Sequence, residues 1–227
     1  MTTHADTLEL IRCTDVTRIH GSGPAAVTAV RGISCALAPG MQVALTGPSG
    51  SGKSTLVHLL AGLDRPTSGT IAWPGLAGSP VGRPGVVGVV FQGPSLLPPL
   101  DVTENVSLPL LLSGVDEKEA RERAQVALRD AGLEELGSRL PEELSGGQAQ
   151  RVAVARALAS RPRVILADEP TGQLDSAHAA EVAALLLQAA TQLDAALVLA
   201  THDMALASQL PVRWQMADGR MVLEDEK

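Results

Sequence analysis

One segment of the sequence combines glycines, a lysine and hydroxyl side chains in the spacing of a phosphate-binding loop. It reads Gly47, Pro48, Ser49, Gly50, Ser51, Gly52, Lys53, Ser54 and Thr55. Glycines allow backbone N–H groups to turn toward phosphate oxygens, and the helix predicted to follow adds the positive end of its dipole. We expect Lys53 to reach the β- and γ-phosphates of a bound nucleotide and Ser54 to ligate Mg²⁺.

Two neighbouring carboxylates farther along the chain are suited to complete such a site. Asp168 and Glu169 follow an apolar run at residues 164–167, which predicts a buried strand with the acids at its carboxyl end. Asp168 there is placed to hold Mg²⁺, and Glu169 to orient or deprotonate an attacking water. An apolar run ending in two acids is a weak signal alone. Together with the phosphate loop, it predicts hydrolysis of a nucleoside triphosphate.

The elements that must position these residues are strands and helices that alternate along most of the chain. Strands are predicted at residues 8–16, 27–37, 42–46, 70–73, 86–91, 163–167 and 196–200, with a hairpin at 213–216 and 220–224. Helices are predicted at residues 56–63, 102–112, 116–131 and 176–193, the second capped by Asp101 or Thr103. This alternation predicts an α/β fold with a largely parallel sheet.

Composition limits the classes of protein to which the chain could belong. Its 227 residues include 18 basic and 25 acidic side chains, for a net charge of −7. This balance argues against a non-specific nucleic-acid binder, which needs a basic surface. No apolar run reaches the roughly 18 residues of a membrane span, and no signal-peptide pattern opens the chain. We therefore expect a soluble, cytosolic protein in which Cys13 and Cys35 are reduced thiols.

Residues 144–151 carry a resemblance to a known family. Their sequence, Leu-Ser-Gly-Gly-Gln-Ala-Gln-Arg, is similar to the signature motif of ATP-binding cassette (ABC) proteins and precedes the Asp168-Glu169 strand as in that family. The resemblance implies an α/β fold: a P-loop NTPase core with a mostly parallel sheet, an N-terminal antiparallel β subdomain and an inserted α-helical lobe. The single domain, 1–227, would comprise the core and β subdomain at 1–92 and 151–227, and the lobe at about 93–150.

The signature motif implies four further nucleotide-binding residues. They are Ser145, Gly146, Gly147 and Gln148. In this family two cassettes enclose ATP head to tail, so that the signature motif of one subunit faces the phosphate loop of the other. Ser145 and the glycine amides open a helix and offer hydrogen-bond donors to an anion, which agrees with that role.

Three other positions match family elements in the expected order, and a fourth, His20, departs from the family pattern. Gln92 resembles the glutamine that senses Mg²⁺ and the γ-phosphate and contacts the membrane subunit. Asp175 lies in the loop that crosses to the partner subunit, and His202 matches the histidine that contacts the γ-phosphate. His20 stands where the family usually has an aromatic residue, so it either stacks on adenine or is exposed without a nucleotide role. His178 has no such match and is interpreted as structural or surface.

The resemblance is greatest to ATPase subunits of lipoprotein-releasing, macrolide-export and cell-division complexes, on residues 103–106, 108–110 and 167–172. It implies ATP and Mg²⁺ as cofactors, catalysis by Glu169 and His202, and closure of a homodimer, or a pair of cassettes, on ATP binding. The partner would be an integral membrane permease, with no nucleic acid. The location would be cytoplasmic, peripheral on the inner face of the cell membrane.

Two functions share this ATP chemistry. The first is the subunit that powers a membrane transporter, of the exporter or lipoprotein/macrolide extrusion type. The alternative is a non-transport ATPase that signals through a membrane partner to cell-wall or division machinery. Similar motifs occur in chromosome-maintenance and translation-factor ATPases. The chain is too short for the long coiled coil of the former or the second cassette of the latter.

Overall fold

The structure, a computed structural model, describes residues 9–222 of the chain. Its strands are β1 (Ile11–His20), β2 (Val27–Leu37), β3 (Gln42–Thr46), β4 (Ser68–Ala72), β5 (Val87–Val90), β6 (Val164–Asp168), β7 (Ala196–Ala200), β8 (Val212–Ala217) and β9 (Arg220–Val222). Its α-helices are α1 (Lys53–Leu60), α2 (Val102–Leu112), α3 (Glu117–Asp130), α4 (Gly146–Leu158), α5 (Ser176–Leu193) and α6 (Met204–Ala207). Short 3-10 turns lie at Gly23–Ala25, Pro74–Leu76, Glu134–Leu136 and Pro141–Glu143.

The central sheet has six strands in the order β5-β6-β7-β3-β8-β9. All neighbours pair in parallel except β8 and β9, which form the predicted antiparallel hairpin. Strands β6 and β7 are buried along their whole length, as expected where helices cover both faces. The register pairs Asp168 with Ala200, so the carboxyl ends of the central strands meet at one edge. Residues 223 and 224, assigned to this hairpin from the sequence, lie outside the described residues.

A second, antiparallel sheet has the order β2-β1-β4. The sequence pattern ended its first strand at residue 16, but β1 continues to His20. The reason is an irregularity at Asp15, whose φ of 49° interrupts the alternation of inward and outward side chains without ending the strand. Cys13 and Cys35 stand opposite each other across β1 and β2 as free thiols. The predicted first residue of this strand, 8, lies outside the described residues.

Helix α1 begins three residues before the predicted start at residue 56 and ends at Leu60 rather than residue 63. Its early start follows from Gly52, whose φ of 100° lets the phosphate loop turn directly into the helix. Its early end follows from Gly62, which has a φ of 71° just past the Ala61 C-cap. The first turn of the helix is therefore made by the residues that the sequence assigned to phosphate binding.

Helix α4 contributes to two of the three hydrophobic cores. One face supplies Val154 to the core formed by α5, α6 and one side of the central sheet. The opposite face supplies Val152 and Ala155 to a helical core with α2 and α3. The third core lies between the antiparallel sheet, α1 and the other side of the central sheet. The predicted lobe boundary at residue 150 thus falls inside α4, and the division into core and lobe stays a prediction.

The structure decides which of the two candidate residues caps α2, and it confirms the α/β class. Asp101 is the N-cap of α2, since its Oδ1 accepts a hydrogen bond from Glu104 N at 2.7 Å. The Glu104 carboxylate accepts one from Asp101 N in return, at 2.8 Å. The predicted α/β architecture, with its mostly parallel sheet and separate antiparallel sheet, is confirmed. Among the helices of residues 9–222, none has both the length and the apolar character needed to cross a membrane.

Candidate active site

The phosphate loop joins β3 to α1 and is packed so tightly that two of its positions accept only glycine. A Cβ atom on Gly52 would lie 2.1 Å from the carbonyl oxygen of Ala29 on β2. A Cβ atom on Gly47 would lie 2.2 Å from the carbonyl oxygen of Met216 on β8. Both glycines also have positive φ, 100° and 147°. The neighbouring strands therefore hold the loop in place.

The turn between β8 and β9 supports the loop from outside. Gly219 N donates a hydrogen bond to Ser51 O at 3.1 Å, and Arg31 N on β2 donates one to Gly219 O at 2.7 Å. The Ser51 hydroxyl is buried and has no hydrogen-bond partner within residues 9–222. A buried hydroxyl without a partner is costly in a folded protein.

Lys53 is buried at the start of α1, with 4% of its side chain exposed. Its Nζ donates hydrogen bonds to Gly47 O at 2.9 Å and Pro48 O at 3.2 Å. It also lies 3.4 Å from Glu169 Oε1 at the end of β6. A buried ammonium needs such compensation. The ammonium group is thus fixed against carbonyl oxygens of the loop, where it can contact a bound phosphate group.

Ser54 and Asp168 form the part of the site that is suited to a hard cation. Ser54 Oγ donates a hydrogen bond to Asp168 Oδ1 at 3.0 Å, joining the first turn of α1 to the end of β6. Burial raises the pKa of Asp168, although the hydrogen bond from Ser54 opposes this shift. A hydroxyl and a carboxylate are ligands that Mg²⁺ accepts, together with water and phosphate oxygens. The donor set therefore fits Mg²⁺.

Glu169 occupies a strained backbone conformation next to the lysine and the histidine. Its φ is 46°, which is unusual for a residue other than glycine. Its N–H donates to Ala200 O at 3.0 Å, which anchors it to the end of β7. Its carboxylate lies 3.4 Å from Lys53 Nζ on one side and 3.5 Å from His202 Nδ1 on the other. The structure thus brings together Lys53, Glu169 and His202, three of the residues that the sequence assigned to the nucleotide site.

Gln92 follows β5 and faces the same edge of the sheet. A Cβ atom on Gly172 would lie 3.2 Å from Gln92 Nε2 and 3.7 Å from Glu169 Oε2. Gln92 is therefore close to the carboxylate cluster, although its side chain is exposed. Its proposed contact with Mg²⁺ and the γ-phosphate stays a prediction.

Two side chains of α4, which the sequence reasoning did not assign, hold the backbone around Gln92. Gln150 is buried and donates from Nε2 to Phe91 O at 2.8 Å. Arg156 donates to Ser95 O at 2.9 Å and to Pro94 O at 3.0 Å. No local pattern reveals these contacts, since they join segments about 60 residues apart. They connect the helix of the signature motif to the Gln92 segment.

His20 lies beside the first turn of α1 rather than among the acids. Its Nε2 is 3.5 Å from Thr55 Oγ1, at the limit of a hydrogen bond. This places the ring at the end of β1, at the edge of the phosphate loop. The position is compatible with a base-stacking role, which stays a prediction.

The signature motif forms the amino terminus of α4. Ser145 is the N-cap, with its Oγ accepting from Gln148 N at 3.3 Å and Gln148 Oε1 accepting from Ser145 N at 2.9 Å. Gly146 is open, whereas Gly147 is buried against His178 of α5. Within residues 9–222, no hydrogen bond or ion pair joins these four residues to the phosphate loop. The structure thus does not bring the signature motif to the loop of its own chain.

Comparisons with known proteins agree with this arrangement. The family model described as ABC transporter matches residues 30–172. The lipoprotein-releasing system ATP-binding protein LolD of Pseudomonas fluorescens is 40% identical over 220 residues, covering 94% of this chain and 97% of that protein. LolD of Legionella pneumophila is 43% identical over 195 residues, covering 83% of this chain and 86% of its own length.

A solved structure of an ATP-binding cassette is also similar to this chain over nearly its whole length. The dimeric post-hydrolysis structure of the ATP-binding cassette MJ0796, bound to ADP and Pi, superposes with a TM-score of 0.85 at 34% identity. The match covers 95% of this chain and 98% of that one. Fold, site geometry and sequence similarity lead to one conclusion: the chain belongs to the ABC transporter family, as one of its ATP-binding cassette ATPases.

Proposed function

We propose that the chain is the ATP-hydrolysing subunit of a membrane complex that releases lipoproteins. The observation that carries the ATPase role is the cluster of Lys53, Ser54, Asp168 and Glu169 at the carboxyl edge of the parallel sheet. The lipoprotein-releasing assignment is supported by relatives of that name, which match nearly the whole chain. The sequence alone left open which exporter or lipoprotein/macrolide extrusion type the complex belongs to, and this proposal selects lipoprotein release.

Binding of ATP would use the loop amides and Lys53 for the β- and γ-phosphates. Ser54 and Asp168, with Gln92 nearby, would hold Mg²⁺, which supplies charge stabilisation to the transferring phosphoryl group when bound. Burial of Asp168 agrees with this role, because a carboxylate with a raised pKa gains from a cation beside it. His20 would contact the adenine at the edge of the loop.

Hydrolysis would depend on Glu169, which orients or deprotonates the attacking water. His202 lies 3.5 Å from Glu169 and would contact the γ-phosphate, so the two side chains can act on the same reacting group. Lys53 would exchange its contact with Glu169 for phosphate oxygens. That exchange would leave the Glu169 carboxylate available to water.

A second cassette would complete the site. The signature residues Ser145, Gly146, Gly147 and Gln148 form a helix amino terminus suited to an anion, yet they have no bond to their own phosphate loop. Solved dimeric structures of the similar cassette MJ0796 support the association of two copies. The head-to-tail arrangement is what the family resemblance implies. Asp175, which caps α5 and is exposed, would lie at the interface.

The membrane partner would be an integral membrane permease, with this chain peripheral to it on the cytoplasmic face. Large apolar side chains are exposed near the Gln92 segment and on the last turn of α2: Leu97 is 42% exposed, Leu111 40% and Leu112 66%. Exposed apolar patches of this kind are typical of protein interfaces. Closure of the dimer would pass to the permease through these residues and the α4 contacts described above.

The experiment begins with tagged Glu169→Gln protein, loaded with ATP and Mg²⁺ and recovered from membranes of the source organism. The permease that accompanies it is identified by mass spectrometry. Wild-type protein and permease are then reconstituted in vesicles that carry a lipid-anchored protein. ATP-dependent release of that protein, absent with Glu169→Gln, is the expected result.

Other outcomes separate the parts of the proposal. ATP hydrolysis without release of the lipid-anchored protein would remove the lipoprotein assignment and keep the ATPase role. Recovery of a division or cell-wall partner would favour signalling, which the relatives described above do not. Absence of ATP hydrolysis in the purified wild-type complex would overturn the proposal as a whole.

A further inference from the structure

The side chain of His178 of α5, which is 41% exposed, lies between Gly147 of the signature motif and the carboxylate of Asp175. A Cβ atom built on Gly147 would lie 2.4 Å from His178 Cδ2 and 2.7 Å from its Cγ. On its other side, the ring places Nδ1 2.7 Å from Asp175 Oδ2. One imidazole therefore contacts two segments that sequence reasoning treated as separate elements.

These contacts fix the orientation of the Asp175 carboxylate. Its Oδ1 accepts hydrogen bonds from Ala177 N at 3.1 Å and His178 N at 3.0 Å, and its Oδ2 contacts His178 Nδ1. The hydrogen bond from the backbone N–H of His178 is the main cause of the lowered pKa of Asp175. The side chain remains 65% exposed. Asp175 is thus an ionised, oriented group that faces outward.

The same packing limits what residue 147 can be. Gly147 has ordinary helical backbone geometry and is not among the residues with positive φ. A side chain at this position would therefore not strain the backbone, but it would displace the His178 ring. By contrast, a Cβ atom on Gly146 would meet nothing within 4 Å. One turn farther along each helix, Arg151 Nε lies 3.5 Å from Glu181 Oε2, so α4 and α5 are also joined by a longer ion pair.

We propose that His178 is a positioning residue that presents Asp175 and the signature motif to the second cassette as one rigid unit. The inference rests on the proposed function, in which both segments face the partner copy. Preorganised groups lose less conformational freedom when two surfaces associate. His178 would therefore strengthen ATP-driven dimerisation and leave nucleotide binding by a single chain unchanged.

Three substitutions separate the two contacts of the imidazole. His178→Asn keeps a donor close to the Nδ1 position and removes most of the ring. His178→Phe keeps a ring against Gly147 and removes the donor to Asp175. His178→Ala removes both. Gln188→Ala, an exposed change on the same helix, is the matched control.

Each change is made in the Glu169→Gln protein, and the dimer fraction is measured by analytical ultracentrifugation against the concentration of protein at saturating ATP. We expect His178→Phe to weaken the dimer about fivefold, near the lower end of the scale expected when each of the two subunits loses one ordered side chain. His178→Ala, which also loses the ring contact with Gly147, should weaken it more. His178→Asn should recover part of this loss, and Gln188→Ala should leave the dimer unchanged. The affinity of the monomer for a fluorescent ATP analogue should be the same in all variants.

A second test uses the contact with Gly147. Gly147→Ala should weaken dimerisation in the presence of His178 because the new methyl group displaces the ring. The same change should cost much less in the His178→Ala background, where that clash is absent. Such a difference between the two backgrounds measures the coupling of the pair directly.

The outcomes distinguish this inference from the function on which it rests. If Glu169→Gln with His178 intact fails to dimerise with ATP, the proposed dimer is wrong and the inference falls with it. If that protein dimerises and His178→Ala dimerises equally well, only the inference is wrong. Should His178→Ala lower the melting temperature strongly, His178→Asn and His178→Phe are compared instead. Dimerisation of His178→Phe as tight as that of the protein with His178 intact would overturn the role of the Asp175 contact.

Discussion

Lys53 Nζ lies 3.4 Å from Glu169 Oε1, which joins the first residue of α1 to the residue after β6. The ion pair compensates a buried ammonium and places the predicted phosphate ligand beside the predicted catalytic carboxylate. Because both groups sit at the carboxyl edge of the parallel sheet, a nucleotide there would contact both. Replacing each member of this pair separately distinguishes its role in ATP binding from its role in hydrolysis.

Replacement of Lys53 by alanine should weaken ATP binding about 10- to 100-fold, since a hydrogen bond between charged groups is lost. Isothermal titration with ATP and Mg²⁺ measures the change. Lys118→Ala, an exposed lysine on α3, is the control and should bind ATP as the wild type does. Equal affinity of Lys53→Ala and Lys118→Ala would contradict the assigned role of Lys53.

Replacement of Glu169 by glutamine should slow phosphate release about 100- to 10,000-fold, the range typical for loss of a general base. Glutamine has the same shape and can still contact Lys53 and His202, so ATP affinity should change little. Single-turnover phosphate release and equilibrium binding separate the two effects. Wild-type rates of hydrolysis in Glu169→Gln would remove the carboxylate from the mechanism.

Substitution of Gly52 by alanine should lower the free energy of unfolding by more than the cost of the strained φ angle alone. Left-handed backbone geometry costs a non-glycine residue about 1–2 kcal/mol. The methyl group on residue 52 would also lie 2.1 Å from Ala29 O, so the loop must shift. Gly23→Ala is the matched control, because its φ is also positive but its Cβ would meet nothing within 4 Å.

Urea unfolding of the two variants gives the comparison. We expect Gly23→Ala to show the strain alone and Gly52→Ala to lose both more stability and ATP affinity. Similar unfolding free energies for the two variants would mean that the contact with Ala29 is relieved at little cost.

The Arg18–Asp64 ion pair, which joins β1 to the loop after α1, should give a pH-dependent contribution to stability. Burial alone would raise the pKa of Asp64, but hydrogen bonds from Arg65 N–H and from Arg18 outweigh it and hold the pKa below its ordinary 3.8. A carboxylate with a lowered pKa in the folded state stabilises the fold above the unfolded value. That stabilisation is lost as pH falls through the folded value.

Asp64→Asn should therefore melt at a lower temperature than the wild type at pH 7. The difference should begin to close as pH falls below 3.8 and disappear below the lowered pKa of the folded state, where the wild-type carboxylate is also neutral. Scanning calorimetry between pH 3 and pH 7 follows it, with Asp130→Asn on the exposed face of α3 as the control. A constant difference between wild type and Asp64→Asn at all pH values would exclude the charge as its cause.

Local motifs predicted the phosphate loop and the acids after β6 because both depend on short segments of fixed spacing. The loop and the acids lie close together in the structure because parallel strands end at the same edge of a sheet. Hence the contacts of Ser54 with Asp168 and of Lys53 with Glu169 agree with the sequence-based expectation. The functions of the individual residues stay predictions.

Other features could not be predicted because they depend on how distant segments pack. The irregularity at Asp15 prolongs β1 beyond the end of the alternating pattern. His178 reads as an ordinary helix residue, and its contact with Gly147 depends on the approach of α5 to α4. Likewise, the bond from Gln150 to Phe91 O joins residues 59 positions apart, for which the sequence provides no spacing rule.

Helix α4 has a consequence for how the protein unfolds. Because Val154 belongs to the core beneath the central sheet and Val152 to the core of the helical region, neither core can dissolve without removing packing from the other. We therefore expect a single cooperative transition rather than separate melting of two parts. A fragment comprising residues 93–150 would lack Val152, Ala155 and Ala159, and should remain without fixed tertiary structure when isolated.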